Sequence, residues 1–305
     1  MKTKQLMFAA ALVLTGQVAV AQVLTVAGVE RLAIPAGEMT GQVAGIAPDG
    51  SFLLLTSATQ KGLVKWDLAT GSAVTLTDAP AAGFEPTVSA DGSAVTYREI
   101  SVGSDRLVRT SVKRADLARG GSAKTLVKPT RDLLSVSTQM RKDATEQQGP
   151  AKGAYRASAK QRAQLLSDGL KLKLVRDGKT TDFAPQGTAT TYIWASVSPD
   201  GTKALYFCGD LGCAYVVPVA GGLPQELGNL HAAKWLDDYT IVGMEDEDDG
   251  MRTTRSRLVA VSLDGRRQVL TDESVPAMWP HASADGTKIV FSTPSGEAYL
   301  IHVNR

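Results

Sequence analysis

A turn motif recurs along this chain in one register, and its spacing constrains the fold more than any other feature. Each copy holds a small residue, Pro or Ala, Asp, Gly, two variable residues and then an apolar strand. The copies start at Ala47-Pro48-Asp49-Gly50, Ser89-Ala90-Asp91-Gly92, Ser198-Pro199-Asp200-Gly201 and Ser283-Ala284-Asp285-Gly286, with a worn fifth at Trp235-Leu236-Asp237-Asp238. Asp-Gly supplies the positive φ of a two-residue hairpin loop, so each copy is expected to join two antiparallel strands. Asp49 to Asp91 is 42 residues, Asp200 to Asp237 is 37 and Asp237 to Asp285 is 48. Those steps match the roughly 40–50 residues of a four-stranded propeller blade. Asp91 to Asp200 is 109 residues, about two steps, so one degenerate blade is expected between them.

An outer hairpin follows each motif, as at Leu63 to Thr77, Tyr215 to Leu227 and Leu258 to Thr271. In the long gap, Leu170 to Val175 and Thr180 to Phe183 repeat it. The inner half of that blade, about Arg131 to Leu166, is polar, and Ser158 to Leu166 reads as a lengthened strand rather than a short helix. The last repeat stops at Tyr299 to Val303 without an outermost strand. Val23 to Val26 and Val29 to Ile34 supply one, which would complete the last blade and protect its edge. The expected fold is therefore all-β, a six-bladed propeller of four-stranded antiparallel blades. The blades are about 41–79, 80–128, 129–187 (degenerate), 188–229, 230–273, and 274–305 joined by 22–36.

The first 21 residues read as a leader, with Lys2 and Lys4, an apolar stretch Leu6 to Leu14, and Ala19-Val20-Ala21 before a cleavage point. Leu6 to Ala21 is too short for a span that needs about 20 apolar residues. The expected product, residues 22–305, is one exported domain, periplasmic or extracellular, not membrane-spanning, and read as a monomer. Without Lys2 and Lys4 its 31 basic residues equal its 31 acidic ones. That balance gives no basis for a nucleic-acid partner.

The motif Ser198-Pro199-Asp200-Gly201-Thr202-Lys203 and its sister copies resemble the repeat of TolB-like, WD40-like (PD40-type) propellers. The chain also resembles exported TolB-like proteins of Bacteroidetes. The resemblance covers the whole mature chain except blade 3, and it implies a six-bladed propeller in the cell envelope. The same repeats occur beside prolyl-peptidase-type hydrolases, but no Gly-x-Ser-x-Gly elbow occurs here.

No catalytic, cofactor or metal motif stands out. The three histidines, His231, His281 and His302, show no metal spacing. The acidic run from Glu245 to Asp249 is open to two readings, a calcium loop or a solvated hairpin tip; it lacks alternate ligand spacing. Cys208 and Cys213 flank a four-residue loop and are expected to face each other, as a disulfide in an oxidising compartment or as two thiols. Between Arg106 and Arg176 there are 17 basic residues against five acids, either a steering patch or ordinary solvated strands. Arg109, Lys113 and Arg114 would carry a rim contact.

The expected ligand site comes from position in the repeat. Six residues before each motif Asp, the chain should enter an inner strand near the central opening. Those positions hold Val43, Glu85, Trp194, His231 and Trp279, with Phe84 and Tyr192 beside two of them. Aromatics with a carboxylate and a histidine suit a sugar, a peptide or a partner's side chain; alternatively, Trp194 and Trp279 only pack between blades. The reading is a non-catalytic module that binds an envelope protein or glycan. The alternatives are a lyase or glycosidase using Glu85 and His231, and a scaffold using its charged rim.

Overall fold

The computed structural model describes residues 22–35, 37–146, 163–272 and 274–304. The expected leader, residues 1–21, lies outside them. The described residues form six antiparallel sheets. From first to last strand, blade 1 runs Gln42–Ile46, Phe52–Thr56, Leu63–Asp67, Ala73–Thr77. Blade 2 runs Thr87–Val88, Ala94–Val102, Val108–Asp116, Ala123–Thr130. Blade 4 runs Tyr192–Val197, Lys203–Cys208, Cys213–Pro218, Gln225–Gly228. Blade 5 runs His231–Trp235, Thr240–Asp248, Thr253–Ser262, Arg267–Val269. Blade 6 holds Met278–Ala282, Lys288–Ser292, Ala298–Asn304 and, as its outermost strand, Thr25–Arg31. That strand is antiparallel to Ala298–Asn304, from Thr25 opposite Asn304 to Arg31 opposite Tyr299. First strands of neighbouring blades touch one another, except that between blades 2 and 3 a helix bridges the two, and this arranges them around a common centre.

Alternation along each strand builds the core between blades. In Phe52–Thr56, Leu53 and Leu55 pack with Val290 and Leu300 of blade 6, while Phe52 and Leu54 pack with Val95 and Tyr97 of blade 2. Successive side chains point to opposite faces, and both faces of a blade are covered. The second strands are accordingly apolar on both faces.

The repeated motif is a hydrogen-bonded cage. In blade 4, Ser198 Oγ donates to Asp200 Oδ1 (2.5 Å) and accepts from the Lys203 amide (3.0 Å). Asp200 Oδ1 also accepts from the amide and hydroxyl of Thr202 (2.9 and 2.8 Å). Blades 2 and 6 repeat this with Ser89–Asp91 and Ser283–Asp285. The loop is longer than the expected two residues. Ser198 N bonds Lys203 O, enclosing four residues, and Gly201 N bonds Ser198 O within a tight turn. Gly201 still has the positive φ (77°) that Asp-Gly predicts.

Blade 3 departs from expectation. Its sheet has three strands, Gln164–Asp168, Lys171–Arg176 and Lys179–Phe183. No inner strand forms within 131–146; a helix, Leu133–Glu146, stands there, touching the first strands of blades 2 and 3. Asp132 Oδ1 caps it by accepting from Ser135 N (3.0 Å). Val136 and Met140, four apart on one face, pack on Val112 of blade 2. The start of the expected strand Ser158 to Leu166 lies outside the described residues, while Gln164–Asp168 is a strand.

Candidate functional site

The first strands of blades 1, 4, 5 and 6 are bulged where they begin. Pairing slips between Val43 and Gly45, Ile193 and Ser196, His231 and Lys234, and Met278 and His281. Trp194, Ala232 and Trp279 have positive φ at these bulges (52°, 47° and 55°), and Glu85 has it just before the first strand of blade 2 (47°). For bulky non-glycine residues this backbone is costly, and bulges re-aim side chains. Blade 5 corrects the expected register. Its hairpin closes from Leu236 N to Thr240 O, one residue shorter than the other copies. The equivalent of Trp194 is therefore Ala232, and His231 sits one residue earlier in its strand.

Three of the expected residues nevertheless come together. The His231 ring lies 5.4 Å from Trp194 and 4.7 Å from Phe207, and Trp194 lies 6.1 Å from Trp279. The rings come from blades 4, 5 and 6. Trp194 rests against the core between blades 4 and 5, while Trp279 keeps 37% of its surface exposed. His231 Nδ1 is bonded to Asp246 Oδ1 at 2.5 Å, which fixes the ring.

Glu85 and Phe84 form a second group with Arg98, which sequence reasoning missed. The guanidinium lies 5.0 Å from the centre of the Phe84 ring, donates to the Phe84 carbonyl (2.9 Å), and sits 3.7 Å from Glu85. Tyr192 is not at the opening. It is 2% exposed and its hydroxyl donates to the Gly187 carbonyl, so it belongs to the core between blades 3 and 4. Val43 is likewise buried, at 4%.

Further residues that the repeat did not single out belong to the first strands or act on the Glu85 group. Lys234 and His281 occupy equivalent places, two residues before the motif's first position, and share that place with Ser196. Arg141 projects from the helix of blade 3 and donates to the Ala195 carbonyl of blade 4 (3.1 Å). Burial alone would raise the Glu85 carboxyl, but Lys234, Arg141 and Arg98 outweigh it and hold the group below its ordinary range. Burial pushes the Lys234 ammonium down, Glu85 opposes that, and Arg141 adds to it. His281 is pushed down to about 3 by burial and then by the charge of Lys234. The place of Lys234 and His281 was readable once blade 5 is shifted by one residue. Arg141 lies outside any repeat and gave no signal.

The other expected groups have local partners. Within the acidic run, Glu245 pairs with Arg257 (2.8 Å) and Arg267, and Asp249 with Arg252 (3.7 Å). Most of the run is strand rather than hairpin tip, and no group of three metal-ligating side chains was found among the described residues. Cys208 and Cys213 are cross-strand partners, as expected, but as two thiols. Cys208 Sγ lies 3.1 Å from Thr190 Oγ1, and Cys213 Sγ 3.8 Å from Glu226. Burial and then Glu226 push the Cys213 thiol up, disfavouring the thiolate that oxidation needs. On the rim, Arg109 pairs with Asp105 and Lys113 with Glu99. Among the described residues no helix is long and apolar enough to cross a membrane.

By sequence, the chain matches no family profile and no curated protein. By structure, it aligns with TolB from Acinetobacter baumannii at a TM-score of 0.52, with 15% identity, covering 78% of this chain and 56% of that one. What it shares with that TolB is the propeller fold. The chain spans little more than half the length of that TolB. Virginiamycin B lyase from Staphylococcus aureus aligns at 0.51, with 9% identity over 91% of this chain and 99% of the lyase. The propeller domain of Myceliophteria thermophila Cps50 (Swd1) also aligns at 0.51, with 11% identity over 90% of this chain and 100% of the domain. At such identities the likeness concerns fold alone, and it extends to TolB and to a lyase alike.

Proposed function

We propose that this propeller is a non-catalytic binding module of the cell envelope, and that it takes a protein or glycan ligand at the channel opening beside Trp194, His231 and Trp279. The observation that carries this reading is the ring cluster built by three blades on a strained, bulged backbone. Its outermost member, Trp279, is left partly exposed. Flat rings beside a fixed histidine suit a sugar face or an apolar side chain. The rim reading has less support, since Arg109 and Lys113 are engaged by acids of their own blade. The exported leader expected from the sequence fits an envelope address.

The test is capture from envelope extract on the immobilised protein. Capture should fall at least about tenfold for Trp194→Ala and Trp279→Ala, the loss expected at a buried aromatic anchor. Charge reversal at Arg109 and Lys113 should leave it unchanged. Dependence on the rim charges with indifference to both tryptophans would reject the reading.

One observation favours an enzymatic alternative, the His231–Asp246 pair, because a carboxylate that orients imidazole is the arrangement of a general base. Its expected partner Glu85 is held ionised and cannot serve as a proton donor near neutral pH. A turnover abolished by both His231→Ala and Asp246→Asn would restore that reading.

A further inference from the structure

Blade 2 carries a hairpin that outgrows its sheet. Its second and third strands, Ala94–Val102 and Val108–Asp116, are nine residues each, against five or six in blades 1 and 4. The first strand of the blade pairs only as far as Thr96. The outermost strand pairs only as far as Thr110, which lies opposite Ile100. Past that row the hairpin is a ribbon two strands wide.

The ribbon has two chemically different faces, because side chains alternate along each strand and paired residues share a face. One face continues the row of Arg98 and Val112, where the helix of blade 3 packs through Val136 and Met140, and it carries Ile100, Val102 and Val108. These three are 39%, 66% and 56% exposed, and Leu133 at the start of the helix is 48% exposed. The other face carries Glu99, Ser101, Arg109 and Lys113, and its charges are matched: Arg109 with Asp105 at 2.6 Å and Lys113 with Glu99 at 3.5 Å. A ribbon made only to stand in water has no use for an apolar face, and such patches mark contact surfaces.

Cations edge the apolar face. Arg106 in the ribbon's turn, Lys128 and Arg131 are exposed and form no ion pair among the described residues. Asp132, beside them in the chain, is taken up in capping the helix through Ser135 N. Arg131 follows Thr130, and the row Ile100, Thr110, Thr130 is two strand spacings, about 10 Å, across. The other long hairpin, in blade 5, is charge-matched: Arg257, Arg255 and Arg252 meet Glu245, Glu247 and Asp249 at 2.8, 3.8 and 3.7 Å.

We propose that this face of blade 2 docks on an anionic lipid surface. Ile100, Val102, Val108 and Leu133 lie at the boundary of headgroups and acyl chains, and Arg106, Lys128 and Arg131 meet the phosphates. A two-stranded ribbon has no walls to enclose a peptide, whereas a lipid interface takes a flat apolar face edged by cations. Binding there grows with the apolar area buried and with attraction to anionic headgroups. A second copy would instead bring the same unmatched cations against its own. The surface is separate from the ring cluster of blades 4 to 6 and does not depend on the ligand proposed there.

Vesicle flotation tests it, using the chain from Gln22, which holds all six described sheets and excludes the apolar leader. Vesicles of equal phosphatidylcholine and phosphatidylglycerol should bind at least about tenfold more tightly than phosphatidylcholine alone, and the difference should shrink as salt rises. Lys128→Gln with Arg131→Gln should weaken binding at least about tenfold, and Val102→Ser with Val108→Ser at least about fivefold. Lys124→Gln with Lys179→Gln removes as much charge from the outer strands of blades 2 and 3, away from the ribbon, and should change it less than about twofold. Thermal midpoints within a few degrees of the parent establish that the variants fold. Equal binding to both vesicles, or none, overturns the inference. So does affinity that survives both test pairs or falls equally with the control pair. Binding to immobilised polyglutamate but not to vesicles, lost in Lys128→Gln with Arg131→Gln, also overturns it, in favour of an acidic protein partner.

Discussion

Single residues set two separable pH windows. Folding holds His281 neutral, at about 3, whereas an unfolded imidazole titrates near 6.5. Below pH 6.5 the unfolded chain takes up a proton that the folded chain refuses, so stability falls as pH drops toward 3. By pH 5 the loss is about 2 kcal/mol. Urea unfolding at pH 7.5 and pH 5 should show it, and His281→Gln should flatten it; an equal slope in the variant would contradict this. Asp91 and Asp200 are also pushed down, to about 2, but for a carboxylate this favours the charged form: Asp91 chiefly by the hydroxyl of Ser89, and Asp200 against the opposing effect of burial, which the hydroxyl of Ser198 and its other donors outweigh. Their contribution is present above the ordinary carboxylate range and disappears only as pH falls from about 4 toward 2. Ser198→Ala removes one donor and one acceptor of the turn cage and should cost about 1–2 kcal/mol in urea unfolding at neutral pH. A variant as stable as the parent would show that the cage contributes little. The Asp-Gly copies made these turns legible. Their true length was not, because a four-residue loop and a two-residue loop both want glycine at positive φ.

At the scale of elements, the helix Leu133–Glu146 is the clearest departure from the repeat. It is held to blade 2 by Val136 and Met140, each 2% exposed. Met140→Ala should therefore cost about 2–4 kcal/mol and loosen Arg141 with it. Denaturation that is unchanged would mean the helix is docked by other contacts. No periodicity of two runs through that stretch and no Asp-Gly closes it, so the repeat could locate the blade without its inner element. The one-residue deletion in the turn of blade 5 had a similar effect on the site. Counting from Asp237 gave His231 the repeat place that Trp194 holds, whereas the hydrogen-bond register and positive φ put Ala232 there. His231 reaches the cluster anyway because its neighbours Trp194 and Phe207 come from blade 4. The hairpin Cys208–Cys213 was legible as a facing pair. With the Cys213 thiol pushed up, linking it should need alkaline pH or a strong oxidant and should then add about 2 kcal/mol, as closing so short a loop allows, read as a two-hydrogen mass loss and a higher urea midpoint. An oxidised chain that is destabilised would show strain instead.

Over the whole molecule, the N-terminal segment joins distant parts of the chain. Leu24 is buried in the core between blades 5 and 6, and Gln268 of blade 5 accepts from the amides of Val23 and Leu24 (2.7 and 2.8 Å). Deleting residues 22–31 would bare the edge of Ala298–Asn304, and an exposed strand edge recruits other chains. Lower thermal stability with concentration-dependent association in the ultracentrifuge is expected; a monomer of unchanged midpoint would contradict that role. Blade number and order were readable from spacing, because both depend on a pattern that recurs. The cations that act on Glu85 were not, since they do not recur.

In the proposed binding mode the ligand sits beside Trp194, His231 and Trp279 and reaches the neighbouring group that holds Phe84. Hydroxyl-radical footprinting with and without captured ligand tests it directly, using Tyr239, 65% exposed on a repeat turn at the far side, as the internal control. Protection of Trp279 and Phe84 with Tyr239 unchanged is the predicted result. Protection of Tyr239, with Trp279 and Phe84 reacting as before, would contradict it.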